Sequence, residues 1–166
     1  MYKIDFNNPI HIHFIGIGGM SGLAKILLSE GFTVSGSDSH SSALTDELIG
    51  DGCLVSVPQS AGNITNDIDL VVYTAAIHPD NPEFKAAKEA GLPMLTRAEL
   101  LGQIMTMYKN AINIAGTHGK TTTTSMVSEI LLAANMDPTI SVGGILNSIG
   151  GNTRVGGNKY FVAEAC

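Results

Sequence analysis

The sequence predicts an α/β fold: parallel strands alternating with helices and, past the midpoint, the beginning of a second sheet. Three observations predict it. Short β-branched runs recur at residues 10–15, 32–36, 68–73 and 111–115, each the length of a buried strand. Between them lie stretches with apolar residues at helical spacing that close on glycine. Two of the runs pass directly into glycine loops that open helices, at residues 16–22 and 116–120, an order that presents backbone N–H groups to an anion.

The composition fits this class and excludes others. Of 166 residues, 44% are hydrophobic and only 14% charged, enough apolar surface for one core and part of another. The net charge of −6 comes without a basic stripe, against a nucleic-acid partner. Cys53 and Cys166 lack metal-ligand spacing and read as reduced thiols of a cytoplasmic protein. The first nine residues have no apolar signal core, and no run of 18 apolar residues spans a membrane.

Taken in order, residues 10–15 form the first strand. His11 and His13 alternate on one side of it and read as strand-end or edge histidines facing solvent. As metal ligands they lack a third partner. The loop Gly16-Ile17-Gly18-Gly19-Met20-Ser21-Gly22 leads to a helix whose buried side is Leu23, Ala24, Ile26, Leu27 and Leu28, closed by Gly31. Residues 32–36 are a second strand ending at Ser37-Asp38. A β-α-β unit of this size is the first half of a Rossmann-like nucleotide-binding sheet. Its loop departs from G-x-G-x-x-G because Ser21 stands at the third glycine position. Asp38, 20 residues on from Gly18, can accept hydrogen bonds from a ribose or a base.

A helix at residues 43–49 and a short strand at 53–57 follow. Residues 68–73 are a parallel strand ending in the Thr74-Ala75 loop, at the edge where open sheets bind ligands. A helix at 83–90, a strand at 93–95 and a helix at 97–108 complete the first part, with Thr96 and Glu99 as a capping box.

Residues 111–115 then enter Gly116-Thr117-His118-Gly119-Lys120-Thr121-Thr122-Thr123-Thr124. Gly-Lys-Thr at a helix start reads as a phosphate loop: Lys120 supplies charge to outer phosphates, and Thr121 supplies an oxygen for Mg²⁺. The loop is shorter than G-x-x-x-x-G-K-[ST], because Ile114 stands where the first glycine belongs. The following helix, to about Asn135, is expected to turn Met126, Val127, Ile130, Leu131 and Ala134 to the core, with Met126 and Met136 as fillers. Residues 138–142 read as a strand, Gly143-Gly144 and Gly150-Gly151 as turns, and 159–163 as a strand ending at Glu164, where a second metal contact is expected.

Several motifs occur together in one order: Gly16-Ile17-Gly18-Gly19-Met20-Ser21, Gly36-Ser37-Asp38, Asp80-Asn81-Pro82-Glu83, Arg97-Ala98-Glu99, the 116–124 loop and Ala163-Glu164-Ala165. In this combination the chain resembles the N-terminal part of the Mur ligases of peptidoglycan synthesis. The Gly-Ile-Gly-Gly-Met-Ser form is nearest the alanine-adding branch. The resemblance implies a Rossmann-like UDP-substrate-binding domain at residues 1–109. It implies the incomplete N-terminal part of an ATP-binding central domain at 110–166, the P-loop α/β domain of the family.

The implied reaction joins L-alanine to the lactyl carboxylate of UDP-N-acetylmuramate through an acyl phosphate, with ATP and Mg²⁺. Carried over by position, Gly116, Thr117, His118, Gly119, Lys120, Thr121 and Thr122 hold the ATP phosphates, with Lys120 catalytic, and Thr121 and Glu164 hold the metal. Gly18, Gly19, Met20, Ser21, Asp38, Thr74 and Ala75 face the UDP substrate. The stretch as given is expected to be a fragment without ligase turnover of its own. Two other readings stay open: a nicotinamide-dependent oxidoreductase using residues 16–38, and a UDP-sugar-binding module without catalysis.

Overall fold

The computed structural model describes residues 2–165, so the reading of Cys166 lies outside the described residues. The chain forms two compact units, Met1–Leu100 and Leu101–Cys166.

The first unit is a five-stranded parallel sheet. Its strands are β1 (His11–Ile15), β2 (Thr33–Ser37), β3 (Leu54–Ser56), β4 (Leu70–Tyr73) and β5 (Met94–Thr96), in the order β3-β2-β1-β4-β5. Parallel neighbours need a crossover, supplied by α1 (Ser21–Ser29), α2 (Ala43–Gly50) and α3 (Pro82–Glu89). α2 and α3 start where the sequence provides a side-chain cap, while α1 follows the Ile17–Met20 turn without one. Ser42 and Thr45 form a reciprocal capping box on α2. The Asn81 side chain accepts from the N–H groups of Glu83 and Phe84, with Pro82 in the first turn. The Thr96–Glu99 box opens α4 (Arg97–Met105) as expected, Thr96 N–H donating to Glu99 Oε2 at 2.7 Å.

The core lies along β1. Ile12, Phe14 and Ile15 are fully buried beside Leu27, Val34, Leu70 and Val72. A parallel sheet covered by helices has no wet strand at its centre. This corrects the reading of His11 and His13 as outward-facing edge residues: β1 is the middle strand and both rings are buried. Three of their four ring nitrogens are met locally. His11 Nδ1 lies 2.9 Å from Asp67 Oδ2, and His11 Nε2 and His13 Nδ1 each lie 2.8 Å from Ser35 Oγ. The single Ser35 hydroxyl proton goes to one ring, and the oxygen accepts from the other. Cys53 is also buried, and burial pushes its thiol up to about 11, which leaves it unreactive.

The second unit has four strands in the order β6-β9-β7-β8: β6 (Asn110–Ile114), β7 (Thr139–Leu146), β8 (Gly151–Arg154) and β9 (Tyr160–Glu164). β9 pairs in parallel with both β6 and β7, while β8 returns antiparallel to β7. The division between the units falls inside α4, ahead of the expected 109/110 boundary. The Tyr108 ring stacks on Phe161 of β9 with centroids 4.9 Å apart, which ties the residues after α4 to the second unit.

Two readings are corrected here. Gly143 and Gly144 are not a turn. They lie within β7, where side-chain-free positions face Glu164 and Thr121. The helix after the phosphate loop, α5 (Lys120–Ala133), does not bury the methionine face: Met126 is 62% and Ile130 66% exposed, and Met136 is exposed too. It meets the unit through Thr124 and Ser128, both fully buried, and small hydroxyl residues let a helix lie close to a sheet. Thr121, Thr122, Met126, Ile130 and Ile145 instead border one open groove.

Phe14→Ala removes the largest fully buried side chain of β1 and should cost about 3–5 kcal/mol of unfolding free energy, measured by urea titration.

Candidate functional site

Each unit carries a loop at the carboxyl edge of its sheet. In the first, β1 ends at Gly16, a 3₁₀ turn covers Ile17–Met20, and α1 begins at Ser21. β1 is flanked by β2 and β4, with Ile15 opposite Ser37 on one side and Tyr73 on the other. The next residues along these strands are therefore neighbours: Gly16, Asp38 and Thr74. This is the place where strand order reverses, and open α/β sheets bind ligands there. Thr74 Oγ1 stands 4.0 Å from where a Gly16 side chain would begin, and Ala75 is exposed beyond it.

Within this crevice the expected residues divide. Asp38 Oδ2 accepts the Gly18 N–H at 2.9 Å, and Oδ1 accepts the Ser39 N–H at 2.7 Å. The Gly18 amide is thus already bonded to Asp38. Met20 and Ser21 have buried side chains, so the surface offered to a ligand is the backbone of Gly18 and Gly19, with Gly19 fully open.

One residue with no assigned role stands out. Glu83, in the first turn of α3, is completely buried. Its Oε1 accepts from the Ser60 N–H at 3.1 Å and from Asn63 Nδ2 at 2.6 Å, and its Oε2 accepts the Ser37 hydroxyl. His13 Nε2 lies 3.5 Å from Oε2, outside good hydrogen-bond geometry, and that nitrogen has no hydrogen-bond partner. An acidic residue just inside a helix is ordinarily a dipole partner on the surface, so nothing in the sequence marked Glu83 as buried.

In the second unit, β6 runs into residues 115–119, and α5 starts at Lys120 with Gly119 as N-cap at φ +76°. That left-handed backbone is one glycine tolerates without cost. Among the described residues, the N–H groups of Gly116, Thr117, His118 and Gly119 donate to no protein acceptor. Four free amides and a helix start form an anion cradle. Lys120 Nζ donates to Gly116 O at 2.7 Å, so the lysine lies back over its own loop. His118 is exposed.

Thr121 Oγ1 donates to Glu164 Oε2 at 3.2 Å, and the Gly143 N–H donates to Glu164 Oε1 at 2.7 Å. A side chain on Gly143 would begin only 2.7 Å from Glu164 Oε2, so the carboxylate would have to move to admit it. Among the described residues no three His, Cys, Asp or Glu side chains converge on one point. A carboxylate and a hydroxyl oxygen in contact nevertheless suit Mg²⁺, which takes few protein ligands and completes its shell with water and phosphate oxygens.

A parallel and a mostly parallel sheet, each with a glycine loop at its carboxyl edge, define an α/β protein of nucleotide-binding architecture. The model of the Mur ligase family, catalytic domain, matches residues 11–109, and the chain belongs to this family. It is 95% identical along its whole length to the UDP-N-acetylmuramate–L-alanine ligase of Lachnospira eligens and 72% identical to that of Agathobacter rectalis. It spans 37% of the length of each of these relatives. Among solved structures, a UDP-N-acetylmuramate–alanine ligase from Thermotoga maritima matches 93% of this chain and 36% of its own, with 35% identity and a TM-score of 0.78. A UDP-N-acetylmuramate:L-alanyl-γ-D-glutamyl-meso-diaminopimelate ligase from Neisseria matches 95% of this chain and 52% of its own, with 29% identity and a TM-score of 0.85.

The Glu83 network has a consequence for acid stability. Burial alone would raise the Glu83 carboxyl, but the His13 ring and the bonds from Ser37, Asn63 and the Ser60 N–H outweigh it and hold the group below its ordinary value of 4.5. A carboxyl depressed in the folded state contributes stability in full above its unfolded value, and loses it as pH falls through the lower folded value. Glu83→Gln should therefore flatten the fall in stability below about pH 4.5, read from melting temperature against pH.

Proposed function

We propose that this chain supplies the sugar-nucleotide crevice and the phosphate loop of an ATP-dependent ligase that joins L-alanine to the lactyl carboxylate of UDP-N-acetylmuramate, in the cytoplasm. The observation that carries this reading is the strand–loop–helix at residues 110–133, with free loop amides, Lys120 over the loop and Thr121 against Glu164. A nicotinamide-dependent enzyme would have no use for that arrangement, and Ser21 interrupts its fingerprint. The names of the relatives support the same choice of substrate.

The proposed chemistry is carboxylate activation: the γ-phosphoryl group passes to the lactyl carboxylate, and the alanine amine displaces phosphate from the acyl phosphate. Phosphoryl transfer asks the protein for position and charge neutralisation more than for a nucleophile. The amides of residues 116–119 receive phosphate oxygens, with the Thr122 N–H and hydroxyl at the helix start beside them. Lys120 exchanges its bond to Gly116 O for the outer phosphates, which frees that carbonyl and opens the loop. Thr121 and Glu164 would hold Mg²⁺, which supplies charge neutralisation at the phosphates. In the first unit, Gly18 and Gly19 face the diphosphate, Asp38 the uridine, and Thr74 and Ala75 line the same crevice, with Met20 and Ser21 supporting the loop from beneath.

Calorimetric titration of this chain with UDP-N-acetylmuramate and with NADH tests the first half: binding of the sugar nucleotide alone is expected, and binding of NADH alone would overturn the reading. For turnover, the chain can be joined to the remaining length of the Lachnospira eligens relative. There Lys120→Ala should lower turnover on the order of 10²–10³-fold while leaving affinity for UDP-N-acetylmuramate unchanged. Gly143→Ala should weaken MgATP binding by roughly ten-fold or more, because the new methyl displaces the Glu164 carboxylate. Both effects are read from initial rates and nucleotide titration.

A further inference from the structure

Glu83 has no role among the site residues assigned above, yet among the described residues it is the one buried carboxylate of the first unit, with three hydrogen-bond donors. A buried carboxylate is tolerated only when its lone pairs are filled. Here they are filled from separate segments: Ser37 at the end of β2, and Ser60 and Asn63 from the stretch ahead of β4, with His13 of β1 facing the same oxygen. Ser37 immediately precedes Asp38. The backbone of that segment is itself tied on both sides, Gly16 N–H to Ser37 O at 2.9 Å and Asp38 N–H to Ser56 O at 3.1 Å. Among the described residues, the Ser37 hydroxyl is the one side-chain tie from this segment into the protein interior, and it ends on Glu83. Asp38 in turn holds the Gly18 amide.

We propose that Glu83 is a positioning residue for the sugar-nucleotide crevice. Through Ser37 it fixes the backbone from which Asp38 reaches the Gly18 loop, and so sets the distance between the carboxylate that meets the nucleoside and the open Gly19 side of the loop that meets the diphosphate. The part that names the ligand rests on the function proposed above. The link from Glu83 to Asp38 and Gly18 rests on geometry alone.

The test uses two readouts. The first needs no ligand: hydrogen exchange at the Gly18 amide reports whether Asp38 keeps its place. The second is affinity for UDP-N-acetylmuramate. Glu83→Ala and Ser37→Ala should both speed Gly18 exchange and weaken binding by about ten-fold, the worth of one hydrogen bond. Glu83→Gln should restore both. Its carbonyl can accept from Ser60 and Asn63, while its NH₂ donates to Ser37 Oγ.

Ser37→Ala removes one hydroxyl and leaves the carboxylate and its other partners in place, so it reports on positioning even if Glu83→Ala fails to fold. If Gly18 exchange and affinity stay at wild-type values in folded Ser37→Ala, the proposal is overturned. It is also overturned if Glu83→Gln is as impaired as Glu83→Ala. If the variants speed Gly18 exchange but the unaltered chain binds no UDP sugar, positioning by Glu83 stands and the reading of the ligand falls.

Discussion

Everything at the first loop depends on β1 having a parallel partner on each side. Parallel pairing brings each chain back to the same edge of the sheet. Ile15 therefore lies opposite both Ser37 and Tyr73, and the three residues that follow are set side by side without any contact having to recruit them. The apolar run at residues 10–15 serves two ends at once. It fills the centre of the core and aims the chain at the point where a crevice opens.

The two glutamates show how one side chain takes opposite parts. Glu83 is sealed in, and Ser37, Ser60 and Asn63 donate to its two oxygens. That environment keeps it ionised and immobile, which suits it to hold segments together. Glu164 stands at the end of β9, half-buried, with one oxygen on the Gly143 amide and the other on the Thr121 hydroxyl. A hydroxyl is a partner easily traded for a cation, since its oxygen can turn from donor to ligand. The acid at the strand end is placed for exchange, the acid at the helix start for permanence.

This contrast also marks what could be read from the sequence. Strand runs, caps and glycine loops depend on nearby residues, so the β-α-β unit, the Thr96–Glu99 box and the helix start at Lys120 were legible. The edge reading of His11 and His13 failed because centrality belongs to strand order, which is set by pairings some 20 and 60 residues away. The groove-facing Met126 and Ile130 defeated the periodicity argument, since α5 meets its sheet through Thr124 and Ser128. Gly143-Gly144 looked like a turn because glycine pairs usually are. Here they lie in mid-strand, where a side chain would crowd the ends of Glu164 and Thr121. Glu83 stands out in the sequence only as part of the 80–83 motif, and its burial is not legible there, because a carboxylate buried by partners from distant segments leaves no local trace.

The loops also differ in readiness, and the difference bears on how the proposed ligands would bind. Among the described residues, the amides of residues 116–119 meet no acceptor, so an anion there displaces only water. At the first loop, Asp38 already occupies the Gly18 N–H. A diphosphate brought onto that amide would have to evict a carboxylate and would then face its negative charge at close range. The arrangement with less conflict leaves Asp38 on Gly18, puts the phosphate oxygens on the open Gly19 side, and turns the free lone pairs of Asp38 toward hydrogen-bond donors of the nucleoside. A carboxylate that stays in place also rejects ligands carrying a phosphate where the nucleoside donor belongs. On this reading the selectivity of the first crevice comes from a charge held fixed, and that of the second from amides left empty.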